Sequence, residues 1–347
     1  MSKKQKRKFD LKSAILILLL LAALLTASTY AWFTANRVVT VSDIDVHIDT
    51  KDGLQISANG VDWKSTLTTE DLKAGYTGSK NVLPTTLEPV STVGDVENGL
   101  MKMYYGQVDS ASGDYKLYAD AIDAETGNTT NGKYVAFDIF LKVNNDQSNI
   151  VLGSNSAVVY NATVNKGKEG LQNAARVAFL KEGHSDVVDG TDVSTYLTQW
   201  GASSFSVTKS AELAATNTYI WEPNYLSHNT TASSVANSYN ISTAAAVPWF
   251  GVNQALAKNN AILLKNAMKG NDDTGAASTY FTQITPSYQT EATMTDVQNA
   301  FALKAGVTKV RIYMWVEGQD VDCEDNVSGS DITFKLEFKL PESTTGA

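Results

Sequence analysis

Cysteine is almost absent: Cys323 is the single one in 347 residues, so no internal disulfide is available and packing alone must hold the fold. Histidine is nearly as scarce. His47, His184 and His228 are the whole supply, and none stands in a His-Glu-x-x-His pair or a Cys/His cluster, which removes the usual zinc signatures. No Gly-x-Ser-x-Gly elbow occurs and no Gly-rich phosphate loop, so the common hydrolase and nucleotide motifs are missing too. Positive charge is also in deficit, with 28 Lys and Arg against 37 Asp and Glu and a net of −9, which argues against nucleic acid as a partner.

Long apolar runs are lacking as well, with one exception at the start. Lys3, Lys4, Lys6, Arg7, Lys8 and Lys12 form a basic head, residues 14–25 are an unbroken apolar run, and small residues follow at Thr26 to Thr29 and Ala31. This is the layout of a secretory signal peptide, an apolar signal helix over 1–31 cut between Ala31 and Trp32. The competing outcome is an uncleaved anchor, because Ser13 to Phe33 is apolar enough to stretch across a bilayer. Either way the rest of the chain is expected outside the cytoplasm, extracellular or at the cell surface, with membrane contact confined to this segment before cleavage. Residues 1–31 carry six basic side chains and one acid, a net of +5, so cleavage takes the chain from −9 to −14. An exported chain without disulfides suits a Gram-positive type of surface better than a eukaryotic secretory route.

Two-residue alternation dominates residues 32–347. Ile332, Phe334, Leu336, Phe338 and Leu340 alternate with Asp331, Thr333, Lys335, Glu337 and Lys339, the pattern of a strand with one buried and one wet face. Val310, Ile312, Met314 and Val316 alternate with Arg311, Tyr313, Trp315 and Glu317 just upstream, and the polar segment Gln319 to Ser330 reads as the connection of a C-terminal hairpin. Val135, Phe137, Ile139, Leu141 and Val143 form a third row. Weaker strands are expected at Val38 to Ile48, Leu54 to Ser57, Ala157 to Val164, Ala175 to Leu180 and Thr218 to Trp221. Helical spacing is confined to Ala255 to Lys269 and Thr293 to Lys304, with Thr295 as a cap. Polar insertions are expected near 109–133 and 225–300; Asp109 to Lys133 and Tyr225 to Ala246 lack an apolar row. The fold class is therefore all-β, an antiparallel β-sandwich with polar loop insertions and a few short helices.

Candidate chemistry is thin, and no catalytic, cofactor or metal residue is assigned. His47 between Asp45 and Asp49 has the look of a solvated strand face. Asp320, Asp322, Glu324 and Asp325 offer oxygen ligands of the kind calcium takes, but without the Gly and bidentate Glu of an EF-hand, so an acid-rich hairpin loop is the simpler reading. Asp272 and Asp273 suggest less. Trp63, Trp200, Trp221, Trp249 and Trp315 suit either a glycan-binding surface or core positions. Leu340 to Gly346 resembles a sortase signal by coincidence, since Ser343 and Thr344 replace the required Thr and Gly.

At Thr29-Tyr30-Ala31-Trp32-Phe33-Thr34, followed by the extended Val38 to Ile48, the chain resembles the TasA and camelysin group, bacterial proteins exported through a SipW-type signal peptidase. The resemblance implies a jelly-roll-like sandwich shown at the cell surface or in biofilm matrix. It also implies an extracellular fibre in which the N-terminal strand of one subunit completes the sheet of the next. Val39 and Val41, then Ile44, Val46 and Ile48, are the donor-strand residues, with a change of face near Ser42. The signal peptidase and further copies of the chain are then the expected partners. A camelysin-like surface metalloprotease and a glycan-binding adhesin are the competing functions; pairing of Val38 to Ile48 inside its own subunit is the competing structure.

Overall fold

The computed structural model describes residues 38–341, apart from 50–52, 98–99, 111–113, 123–131, 162, 164–169, 186–217, 292–297 and 325–328. The export segment with Ala31 and Trp32 lies outside the described residues, as do Thr295, Trp200, Asp325 and Ser343 to Gly346. The elements begin with β1 (Val39–Ile48), β2 (Gln55–Ser57), β3 (Thr66–Leu67), α1 (Thr69–Ala74), β4 (Thr86–Leu87), β5 (Val96–Glu97) and β6 (Leu100–Met101). They continue through β7 (Tyr104–Asp109), β8 (Lys116–Ala121), β9 (Val135–Val143), β10 (Gln147–Leu152), β11 (Ala157–Tyr160), β12 (Ala175–Ser185), β13 (Thr218–Pro223) and α2 (Thr230–Ser238). The last are β14 (Phe250–Val252), β15 (Ile262–Leu263), α3 (Leu264–Ala267), β16 (Phe281–Gln283), β17 (Tyr288–Thr290), β18 (Gln298–Leu303), β19 (Gly306–Val316) and β20 (Asp331–Lys339).

The chain is all-β in character, with two large sheets and three small ones among the described residues. One large sheet runs β18-β10-β20-β1-β3, with β11 also on β20 and β4 on β1; the other runs β17-β13-β12-β19-β9-β2. Most pairs are antiparallel, but β1 with β20 and β13 with β17 are parallel, which amends the purely antiparallel expectation. Their inward side chains meet in one core. Phe179 of β12 lies 5.6 Å edge-on from Phe338 of β20 and 6.1 Å from Phe301 of β18, so rings from both sheets interlock.

The second sheet is covered on its other face as well. Val90, Met101, Met103, Trp249 and Ile284 pack there against Ala136, Ala178, Tyr313 and Trp315, so every residue of β19 is buried. Arg311, Tyr313, Trp315 and Glu317 therefore do not form the wet half of an alternating strand. The expected C-terminal hairpin is also absent: β19 belongs to one sheet and β20 to the other, and Gln319 to Ser330 carries the chain between them.

Local propensity was overruled in two further places. Ala255 to Lys269 keeps helix over Leu264–Ala267, with a strand at Ile262–Leu263, because Ile262 and Leu263 pair with β8. Gln298–Leu303 is a strand rather than the end of a helix, since pairing with β10 buries Phe301 and Leu303. The polar stretches also carry structure: β8 buries Leu117 and Ala119, and α2 buries Ala232, Val235 and Ala236 behind the Asn229 cap. Like α2, α1 went unforeseen; it is started by the reciprocal Thr68 and Asp71 capping box and anchored by buried Leu72.

Phe338→Ala would open a cavity where the three rings meet, at a site with no solvent exposure. A loss of about 3–5 kcal/mol is expected, read as a lower urea midpoint with unchanged slope.

Candidate functional site

The five donor-strand residues share one face. β1 carries Val39, Val41, Ile44, Val46 and Ile48, all buried, and the register shift between Val41 and Asp43 keeps both groups pointing inward across the change of phase at Ser42. β20 holds β1 in parallel register from Thr40 opposite Asp331 to Ile48 opposite Phe338. On the other side β1 touches two two-residue strands, β4 at Val39 and Thr40 and β3 at Val46 and His47. Between them Thr69 Oγ1 donates to Asp43 Oδ1 at 3.2 Å. Main-chain bonds close both ends, Gly329 N to Val38 O at 2.8 Å and Asp49 N to Phe338 O at 3.0 Å. Burying five aliphatic side chains at roughly 2 kcal/mol each gives about 10 kcal/mol as an upper estimate for seating the strand. In this structure the strand sits in its own chain.

The described part of the acidic run is not a solvated loop. Asp320, Asp322 and Glu324 are buried, and Asp320 and Asp322 bind across to other elements. Asp322 Oδ2 pairs with His228 Nδ1 at 2.8 Å while its Oδ1 accepts from Asn229 N at 2.7 Å, tying the loop to the start of α2. Asp320 bonds Arg176 Nη2, and the same nitrogen reaches Glu222 Oε1 at 2.7 Å. Arg176 Nη1 donates to Asn173 O and Ala175 O, and its guanidinium lies 4.3 Å from the Trp249 ring. The hydrogen bond that its Nδ1 donates to Asp322 raises the His228 pKa, whereas burial raises those of Asp322 and Glu222. Among the described residues no group of three or more His, Cys, Asp or Glu is placed to hold a metal ion.

Other residues singled out by sequence fall apart in space. His47 is exposed on β1 with Nδ1 2.9 Å from Thr66 Oγ1, His184 sits 3.2 Å from Thr308 Oγ1, and His228 belongs to the acidic loop. Asp272 Oδ1 accepts from Thr274 and Ala276 within its own turn, and Asp273 pairs with Lys116 at 3.1 Å. Trp221, Trp249 and Trp315 are buried, which removes them from any glycan-facing surface; Trp63 is half-buried beneath Lys142. A cleft of about 150 Å³ lined by Asn59, Asp62, Lys64, Leu67 and Asp71 is small against ordinary ligand pockets; Lys64 pairs with Asp71 at 2.5 Å and Asp62 Oδ2 accepts from Asn59 Nδ2 at 2.7 Å.

Sequence reasoning missed the charges buried on the outer face of the second sheet: Arg176, Asp138, Glu182, Lys309, Arg311 and Glu317. One signal was available. A lone Asp138 inside an otherwise apolar Val135 to Leu141 is what a strand buried on both faces looks like when one position must carry charge.

Glu317 is fully buried, with Oε2 accepting from Trp315 Nε1 and Oε1 from Gln319 N, both at 3.1 Å. Burial pushes its pKa from 4.5 up to about 7. The folded state therefore keeps a proton that the unfolded chain gives up, and the associated stability is full below pH 4.5 and lost as the pH climbs through 7. Glu317→Gln should flatten this loss, gaining about 3 kcal/mol on wild type between pH 4.5 and 8 in urea unfolding. Equal slopes for the two proteins would contradict a buried protonated Glu317. Neither a protein-family model, nor a curated protein, nor a solved structure matches this chain.

Proposed function

We propose that this protein is a non-enzymatic secreted surface or biofilm-matrix subunit of the TasA and camelysin type, a jelly-roll-like β-sandwich that self-assembles by exchanging β1. The observation that carries the reading is the seat of β1. A whole strand fills an apolar slot against β20, is covered opposite by two two-residue strands, and joins the body through the short stretch after Ile48. An exchanged β1 makes the same contacts in a neighbour that it makes in its own chain. Exchange therefore loses little contact energy, and concentration and hinge strain decide between the closed and linked forms.

Export fits the same scheme. The basic head and apolar run deliver the chain through the signal peptidase, and cleavage after Ala31 frees Trp32 and the strand behind it. While the segment stays in the membrane the strand has no free end to donate. A head-to-tail contact of this kind need not close on itself, and where it does not it propagates as a filament.

A cysteine pair tests the exchange. Asp45 and Lys335 are opposite one another in the β1 to β20 register, on the face away from the core, where neighbouring strands meet disulfide geometry. Cys323 is buried and does not compete. The Asp45→Cys, Lys335→Cys protein, oxidised after assembly, should give a ladder of covalent multimers, and the two single variants mixed should give covalent dimers. Closed monomers throughout, with no filaments in negative stain, would overturn the reading, as would casein digestion that a chelator abolishes.

A further inference from the structure

The outer face of the second sheet holds a buried ion cluster that neither export nor assembly uses. Lys309 on β19 points its Nζ at Asp138 Oδ2, 3.0 Å away on the neighbouring strand β9, and at Glu182 Oε2, 2.5 Å away on β12. All three are closed to solvent, with side-chain exposures of 2%, 0% and 5%. Two more groups grip the carboxylate of Asp138: Arg311 Nη1 donates to Oδ1 at 2.6 Å and the Tyr76 hydroxyl donates to Oδ2 at 2.7 Å. The Tyr76 ring stands edge-on to Phe140 at 5.6 Å, and Phe140 is Lys309's partner in the β9 to β19 register, so aromatic carbon walls the amine. Glu182 enters the cluster from a bulge, the residue that interrupts the β12 to β19 register between Lys181 and Gly183. Bulges re-aim side chains in this way next to reacting groups.

We propose that Lys309 and Asp138 condense into an intramolecular amide between β9 and β19, with Glu182 relaying the protons. The reactants are the ion pair itself. Glu182 takes one proton from Lys309 Nζ and passes it to Asp138 Oδ2, the freed lone pair forms a C–N bond to Asp138 Cγ, and the developing charge on Oδ1 rests against Arg311. The Cγ–Oδ2 bond then breaks, and the oxygen leaves as one water carrying two protons that began on Nζ. The ammonium and carboxylate charges cancel, no electrons are gained or lost, and no co-reactant is needed.

Three physical arguments favour this outcome over a resting ion pair. Nucleophile and electrophile are held at contact, which supplies the large effective concentrations of intramolecular reactions. Burial excludes the water that would reverse the condensation. Two charges in a dry interior cost desolvation energy, and an amide removes both. Burial opposes ionisation of Asp138, yet Lys309 and Arg311 outweigh it and hold its pKa at about 2, so the proton that Glu182 hands to Oδ2 is what opens Cγ to attack. Burial pushes Glu182 up to about 7, near neutrality, where a relay can both take and give a proton.

The full chain, unfolded and weighed intact, should be lighter than its sequence by one water. Trypsin should release a branched peptide joining Tyr134–Lys142 to Ala305–Arg311, uncut after Lys309, and fragmentation should place the link on Asp138. Lys309→Arg should abolish the branch. Glu182→Gln should lower its yield at least tenfold at equal incubation time, with an unchanged far-ultraviolet spectrum. An unshifted wild-type mass with both linear peptides recovered and cleavage after Lys309 would overturn the proposal, whether or not the variants fold. Branch formation at wild-type rate in Glu182→Gln would overturn the role of Glu182.

Discussion

Burial of β19 on both faces is the constraint on which the rest of the structure depends. One face of the strand closes the core shared with the sheet containing β1 and β20, and the other lies under the layer around Met101, Met103 and Trp249. A polar side chain in such a strand has no route to water, so each one must be matched inside the protein. Lys309 and Arg311 converge on Asp138, while Glu317 is held by Trp315 and Gln319. Neighbouring strands extend the principle: Arg176 of β12 lies opposite Trp315 and carries Glu222 and Asp320 with it. The ionic clusters are thus a consequence of sheet coverage, placed at the ends of an aromatic and methionine-rich middle.

β1 answers a different demand. It is amphipathic, with exposed Ser42, Asp43 and His47 and five buried aliphatics, and its neighbours are unequal: a long parallel partner on one side and two short antiparallel ones on the other. A strand held mainly by one partner, with no covalent staple nearby, can be supplied by its own chain or by another without changing its contacts. That asymmetry connects the strand's packing to the assembly proposed for it.

Much of the strand layout was legible in the sequence. Residues 135–143, 331–339 and 39–48 were set by two-residue alternation, and the change of face near Ser42 appears as the register shift between Val41 and Asp43. Periodicity works there because one side of each strand is apolar throughout. What it misses is a second layer over the other side, as on β9 and β19. Arg311, Tyr313, Trp315 and Glu317 have the composition of a wet face, and nothing local says that Met103 or Trp249 will come to lie over them. The acid-rich stretch after β19 misled for the same reason, since its partners Arg176, Glu222 and His228 are remote in sequence.

The sequence by itself determined the all-β character, the absence of disulfides, the export segment as an expectation, and the inward residues of β1 and β20, because each follows from composition or from side-chain period. Only the tertiary structure decided that β19 and β20 part into different sheets, that Gln298–Leu303 is a strand despite its helical spacing, and that Lys309, Asp138 and Glu182 meet. Those outcomes are settled by which surfaces cover one another, a long-range balance of apolar burial and charge desolvation that no short window of residues contains.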